Sequence, residues 1–475
     1  MSPLTNNFYA DWRAQHLRQW LLREGTEPPP ERLLQLVWFH QRLLRDQLTT
    51  LDGRPVRVLH PGFWNREAGP DFHGAMVRLG GDAPQSGDIE VDLHSSGWRA
   101  HKHAGNPNYQ NVLLHVVWQI ETPTDLPTLP LCGSLDAPID DLMLWLGGDE
   151  AAGFPPALAG QCVAPLRSLA PDKLDELLRQ AALVRLQSKA AWLAARARQA
   201  GWEQALWEGL FRALGYKQNV WPMQLLGELR PALHPAGETP DALTLLARVL
   251  GVGGLLPAQL TGAQAGTDQY LRRLWDGWWR ERESFSDLAL PRAVWRFAGI
   301  RPGNHPQRRL ALAAHWLANG DLPAKLERWC LATVAEARLA DSLLEVLQAG
   351  ANDAFWTRHW NLRGTPMARS QPLLGVTRAT DLAANVILPW LWVRAGEGRN
   401  GPLQREMERR FLAWPAAEDN VVLKLARQRL LGGARPAALR SAAGQQGLMQ
   451  IVRDFCERSN AVCEQCRFPE LVREF

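Results

Sequence analysis

Residues 87–94 read Gly-Asp-Ile-Glu-Val-Asp-Leu-His, a strict alternation that an extended strand sorts into two faces. Ile89, Val91 and Leu93 fall on one side, and Asp88, Glu90, Asp92 and His94 on the other. Three carboxylates and an imidazole on one strand face repel as anions and compete for water. A strand that needs only a wet face more often carries Thr, Ser, Lys or Arg. Two arrangements relieve the repulsion. One is a solvated edge strand whose acids pair with arginines. The other is the wall of a site that holds a cation, for which a divalent metal is the leading candidate.

The 475 residues exceed one ordinary hydrophobic core, so two or three domains are expected. A net charge of +4 does not mark a strongly basic nucleic-acid binder. No apolar run is long enough to cross a membrane, and the first ten residues lack a basic-then-apolar signal pattern, so a cytoplasmic protein is expected. The cations are almost all arginines, with only six lysines, so Lys102 and Lys217 stand against that trend.

The chain changes character near residue 150. Before it, helical spacing over Glu31 to Gln47 follows a Pro28-Pro29-Pro30 breaker. Strand-like runs then come at Val56 to Leu59, at Ala75, Val77 and Leu79, at 87–94, and at Asn111 to Ile120. Residues 121–165 are proline-rich and read as a connector. Beyond it helices dominate, over 172–200, 202–214, 310–318, 324–349 and 385–392. The expected fold is an α/β or α+β domain over residues 1–150, with a small mixed sheet, followed by a mostly α-helical domain over 151–475 that ends in a cysteine-rich tail.

Six of the twelve histidines, His60, His73, His94, His101, His103 and His115, lie within residues 60–115, among Gly-, Pro- and aromatic-rich turns that suit a loop-built site. His101 and His103 form a His-x-His pair able to supply two metal ligands, or else a solvated loop. His115, inside an apolar run, reads first as a core histidine. Asp71 follows Pro70 at the head of a strand, and Glu90 comes 19 residues later in mid-strand. On adjacent strands these two carboxylates would hold one divalent ion, Mg or Mn, that polarises a phosphate and lowers the pKa of an attacking water.

This pattern resembles the PD-(D/E)xK nuclease core, in which a helix precedes strands carrying the Asp and then Glu-x-Lys. The resemblance implies a restriction-endonuclease-like sheet, a nucleic-acid partner and metal-dependent phosphodiester hydrolysis. Asp71 and Glu90 would act as ligands, Asp92 or His94 would complete the shell, and His101, Lys102 or His103 would assist water or phosphate. The chain departs from the pattern where the lysine should be, because the residue two after Glu90 is Asp92. Two other readings use the same residues. One is a cupin-like or other non-nuclease metal hydrolase built on His94, His101, His103 and a carboxylate, with His115 as the histidine of a later strand. The other is a non-catalytic binding or scaffold protein that works through its helical region.

Cys456, Cys463 and Cys466 form a C-x6-C-x2-C tail, while Cys132, Cys162 and Cys330 are isolated. The tail spacing resembles the first three ligands of the iron–sulfur loop of helix-hairpin-helix DNA glycosylases. It allows zinc, an iron–sulfur cluster or free thiols, with Cys162, Cys330 or a histidine as a fourth ligand. The loop Arg301-Pro302-Gly303-Asn304-His305-Pro306 and the following Arg308 and Arg309 read either as an anion contact or as an inter-helix turn.

Taken in order, His60-Pro61-Gly62, Gly69-Pro70-Asp71-Phe72, Gly87-Asp88-Ile89-Glu90, Ser95-Ser96-Gly97-Trp98, His101-Lys102-His103 and Leu214-Gly215-Tyr216-Lys217-Gln218-Asn219 resemble a bacterial family known as domain of unknown function 2851. That resemblance implies one recurring two-part protein and carries no activity with it.

Overall fold

The computed structural model describes residues 6–15, 29–65, 67–101, 103–122, 125–146, 159–260, 265–348, 353–456, 463 and 466–475. Near the N-terminus, helix α1 (Glu31–His40) precedes strands β1 (Val56–His60), β2 (Phe63–Trp64), β3 (Phe72–Leu79), β4 (Gln85–His94), β5 (Val112–Gln119) and β6 (Thr128–Pro130). They form one six-stranded mixed sheet in the order β1-β3-β4-β5-β6, with β2 paired to β3. The β1–β3 and β3–β4 pairs are antiparallel, and β4–β5 and β5–β6 are parallel.

This topology excludes the solvated-edge reading of residues 87–94. β4 is flanked by β3 and β5, so it is a central strand and not a solvated edge. Its apolar residues Ile89 and Val91 join Phe72, Ala75, Val77, Leu114 and Val116 under Leu33, Leu34, Val37 and Trp38 of α1. Burying such side chains contributes roughly 1.5–3 kcal/mol each. The apolar spacing beyond residue 40 does not prolong α1. Gln41 turns left-handed at φ 51°, its N–H returns to the Trp38 carbonyl, and the Arg42 N–H returns to that of Val37. The turn at His60-Pro61-Gly62 requires its glycine. Gly62 has φ +102°, and a Cβ there would lie 2.8 Å from Phe72 Cβ.

A parallel β4–β5 pair cannot be closed by a hairpin and needs a crossover. The crossover runs through a short helix (Gly97–Ala100) and two 3-10 turns (His103–Gly105 and Pro107–Tyr109), and it brings His101 and His103 over the polar side of β4.

The chain divides into two compact units, one comprising residues 1–195 and 411–475, the other residues 196–410. The first holds the sheet and, in addition, a helical core in which Leu177, Leu178 and Ala181 of helix Pro171–Ala200 pack with Leu430, Leu448, Ile451 and Phe468. The second is built of helices, among them Trp202–Leu214, Ala242–Val252 and Pro306–Ala318. The helix expected over 324–349 is divided there into Leu322–Leu331 and Leu339–Gln348. The break is stabilised by the Arg410 guanidinium, which donates to the carbonyls of Trp329 (2.9 Å) and Ala332 (2.6 Å). Among the described residues, no helix is long and apolar enough to cross a membrane.

Candidate metal centre

The β3–β4 register pairs Phe72 with Ile89, which sets Asp71 opposite Glu90. The two are interlocked through the backbone. The Asp71 N–H donates to Glu90 Oε2 at 3.2 Å, and the Val91 N–H donates to Asp71 Oδ2 at 3.0 Å. Asp71 Oδ1 accepts from Gln35 Nε2 at 2.8 Å, so α1 also fixes this carboxylate.

Next along β4, Asp92 Oδ2 lies 2.9 Å from His115 Nε2 on β5. From the crossover, His101 Nδ1 reaches to 3.6 Å from Asp92 Oδ1, and His103 Nε2 to 3.3 Å from Glu90 Oε1. One ligand atom each from Asp92, His101 and His103 lies within 4.8 Å of the others. The polar face is covered, because Glu90 is 7%, Asp92 3% and His103 7% exposed. Trp98, 5.3 Å from His103 between ring centroids, and Tyr109, stacked on His103 at 3.9 Å, wall the site.

Crowding buried carboxylates raises their proton affinity. Burial pushes Asp71 up to about 7, with the charges of Glu31 and Asp92 adding to the rise. Burial pushes Glu90 up to about 9, reinforced by Asp71 and Asp92. Burial likewise raises the Tyr109 hydroxyl to about 12 and lowers His103, favouring its neutral, ligand-competent imidazole. His103 is buried, yet neither ring nitrogen has a hydrogen-bond partner among the described residues. Its Nε2 approaches Glu90 without hydrogen-bond geometry. Such an unsatisfied imidazole facing two carboxylates is a candidate cation ligand.

Of the residues singled out in the sequence, Asp71, Glu90, Asp92, His101 and His103 converge here. His94 lies at the strand end, its Nδ1 3.2 Å from Glu121 Oε1, and Lys102 falls outside the described residues. The tail cysteines lie around a separate cavity. Sequence reasoning missed Gln35 and Glu31, while Tyr109 lies in one of the aromatic- and Pro-rich turns expected to build the site.

Gly97 opens the short helix directly against Asp92, where a Cβ would lie 2.8 Å from Asp92 Cγ. Gly97→Ala is therefore expected to push the Asp92 carboxylate off His115 and destabilise the protein by about 1–3 kcal/mol, read by thermal denaturation. A variant as stable as the parent would show that the Asp92 side chain is not held in place.

The fold and site thus define a mixed-sheet protein with a buried carboxylate–imidazole face and an appended helical part. Residues 31–420 match the model of a family described as "Protein of unknown function (DUF2851)", and the chain belongs to that family. The matched range ends before the tail cysteines. No curated protein matches the chain, and no solved structure does.

Proposed function

We propose that the protein is a metal-dependent phosphodiesterase acting on nucleic acid, with its reaction centre on the polar face of β4. The observation that carries this reading is the pairing of Asp71 with Glu90 across β3 and β4, beside a buried imidazole that lacks a hydrogen-bond partner among the described residues. The order of elements also supports it. A helix, then two antiparallel strands, the first entered directly from the Asp and the second bearing the Glu, then a crossover to a parallel strand, is compatible with a restriction-endonuclease-like core.

Asp92, His101 and His103, whose ligand atoms converge, would hold the ion, with Glu90 reaching it from beside His103 and Asp71 next to Glu90. Imidazole donors in the set favour Mn²⁺ over Mg²⁺. When bound, the ion would supply a polarised phosphate and a more acidic water. Asp92 stands where a nuclease lysine would, and His115 orients it from behind at 2.9 Å. Gln35 and the Val91 N–H hold Asp71 in place, while Trp98 and Tyr109 exclude water from His103.

The test is hydrolysis of single- and double-stranded DNA and RNA by the full chain with Mn²⁺, Mg²⁺ or EDTA. Cleavage is expected with the cation only, and Glu90→Ala is expected to lower it at least about 100-fold, the scale on which loss of one stabilising group acts. Cleavage that persists in Glu90→Ala, or no cleavage of any of these substrates with either cation, would overturn the proposal.

A further inference from the structure

Cys162 lies almost 300 residues before the other cysteines of its cavity, yet the fold brings it to the tail. One cavity is lined by Cys162, Cys456, Cys463 and Cys466, with Arg429 and the apolar Phe455, Phe468 and Pro469 around them. All four cysteines belong to the unit formed by residues 1–195 and 411–475. Cys330 belongs to the other unit, where its sulfur lies 3.4 Å from Met407 Sδ, and Cys132 is exposed.

The local backbone is shaped around these sulfurs. Cys456 ends a π-helical turn, Val452–Cys456, a distortion that recurs at functional sites. Cys463 has φ +65°, a conformation uncommon for residues other than glycine. A Cβ on Gly160 would lie 3.2 Å from Cys162 Sγ and 3.0 Å from Arg429 O, so the glycine leaves room for the thiol. Arg429 Nη2 is 2.8 Å from Cys463 Sγ, placing a buried cation where thiolates would concentrate negative charge.

The spacing of the sulfurs separates two metal chemistries. A single zinc, with Zn–S bonds of about 2.3 Å, draws its thiolates into a tight tetrahedron. Among the described residues, no three cysteine sulfurs lie mutually within 4.8 Å, while all four face a common space. A multi-iron core is instead held by four thiolates set around it. We propose that Cys162, Cys456, Cys463 and Cys466 ligate an iron–sulfur cluster, with Arg429 offsetting its charge. The cluster ties the chain just after the sheet to the C-terminal segment and so joins the two stretches of sequence that make up the first unit.

The full chain should be purified anaerobically and assayed for visible absorbance, iron, acid-labile sulfide and zinc. A coloured protein with iron and sulfide in comparable amounts is expected, with an electron paramagnetic resonance signal appearing on oxidation or reduction. Cys162→Ser and Cys466→Ser should lose most of the iron, whereas Cys330→Ser should retain it. Zinc in place of iron in the wild-type protein, or no metal after anaerobic iron–sulfide reconstitution, would overturn the proposal, and neither readout depends on a variant folding. Iron retained by soluble Cys162→Ser, or lost from Cys330→Ser, would overturn the assignment of the fourth ligand.

Discussion

Glu90→Gln is expected to make the metal-free protein more stable at alkaline pH while removing its response to divalent cations. In the folded chain Glu90 titrates at about 9, against an ordinary 4.5, because burial and the charges of Asp71 and Asp92 disfavour its ionised form. A carboxyl whose folded pKa is raised binds its proton more tightly in the folded state. Its favourable contribution is complete below about pH 4.5 and is lost as pH rises through 9. Asp71, raised to about 7, adds to the loss in the same direction, and the adjacent pair titrates as a unit. Each tenfold difference in proton affinity between folded and unfolded chain corresponds to about 1.4 kcal/mol, so the decline for Glu90 is on the order of several kcal/mol. Glutamine stays neutral throughout, and its carbonyl can still accept from the Asp71 N–H. A cation bound as proposed would act oppositely on the wild type, displacing the protons and rewarding the ionised carboxylates. Melting temperatures from about pH 5 to pH 9, in EDTA and in Mn²⁺, read both effects. Wild-type and Glu90→Gln curves that fall in parallel in EDTA would contradict the electrostatic account. Equal stabilisation of both proteins by Mn²⁺ would remove Glu90 from the ion's ligands.

Much of this site was legible because strand geometry writes itself into sequence at period two. The alternation over residues 87–94 separates Ile89 and Val91 from Glu90 and Asp92 without any knowledge of the fold, and the structure buries both sets on opposite faces of one central strand. What the alternation leaves open is whether the polar face meets water or protein. That depends on β4 being flanked by β3 and β5, and on the crossover returning over the same side, both of which are long-range outcomes. The histidine cluster is visible as composition, but its division of labour is not. His115 supports Asp92 from the neighbouring strand, whereas His103 presents buried, unsatisfied nitrogens to Glu90. Gln35 is hidden because an amide on an amphipathic helix has no signature until its partner is known. The partnership of Cys162 with the tail is equally hidden, since no local period links positions almost 300 residues apart. Helix ends are the least legible feature of the fold. The apolar spacing past His40 continues, but the left-handed turn at Gln41 ends the helix regardless of it.

Arg308→Met is expected to destabilise the helical unit by about 3–5 kcal/mol, the range seen when a buried, fully engaged charge is removed from its partners. In the sequence, Arg308 and Arg309 stand as candidates for anion contact. Their guanidinium groups are instead engaged within the protein, Arg308 by backbone carbonyls and Arg309 by a carbonyl and two side chains. Arg308 is 1% exposed, and its nitrogens donate to the carbonyls of Trp356, His359 (2.9 Å), Gln371 (2.9 Å) and Pro372 (3.0 Å). It thereby ties helix Pro306–Ala318 to the irregular segment between residues 353 and 375, much of which has no ladder or helix of its own to satisfy those carbonyls. Arg309 does similar work on Leu373 O (2.8 Å) and Asn304 Oδ1 (3.1 Å). Burial, with Arg309 nearby, lowers Arg308 to about 10, still well above neutrality, so the group is charged at pH 7. Methionine matches the length of the stem and fills the space, but it leaves several carbonyls buried without a donor, each costing roughly 1–3 kcal/mol before relaxation. Arg308→Lys keeps the charge, yet one ammonium cannot span the same set of acceptors as a planar fork, so an intermediate loss is expected. Exposed Arg363 serves as the control, with Arg363→Met expected to stay within about 0.5 kcal/mol of the parent. Denaturant midpoints and hydrogen exchange in helix Pro306–Ala318 and the 353–375 segment measure the effect. If Arg308→Met left exchange in that segment unchanged, the segment would be held by its aromatic packing alone, with Phe355 stacked on Tyr270 and His359 at 4.2 and 4.0 Å.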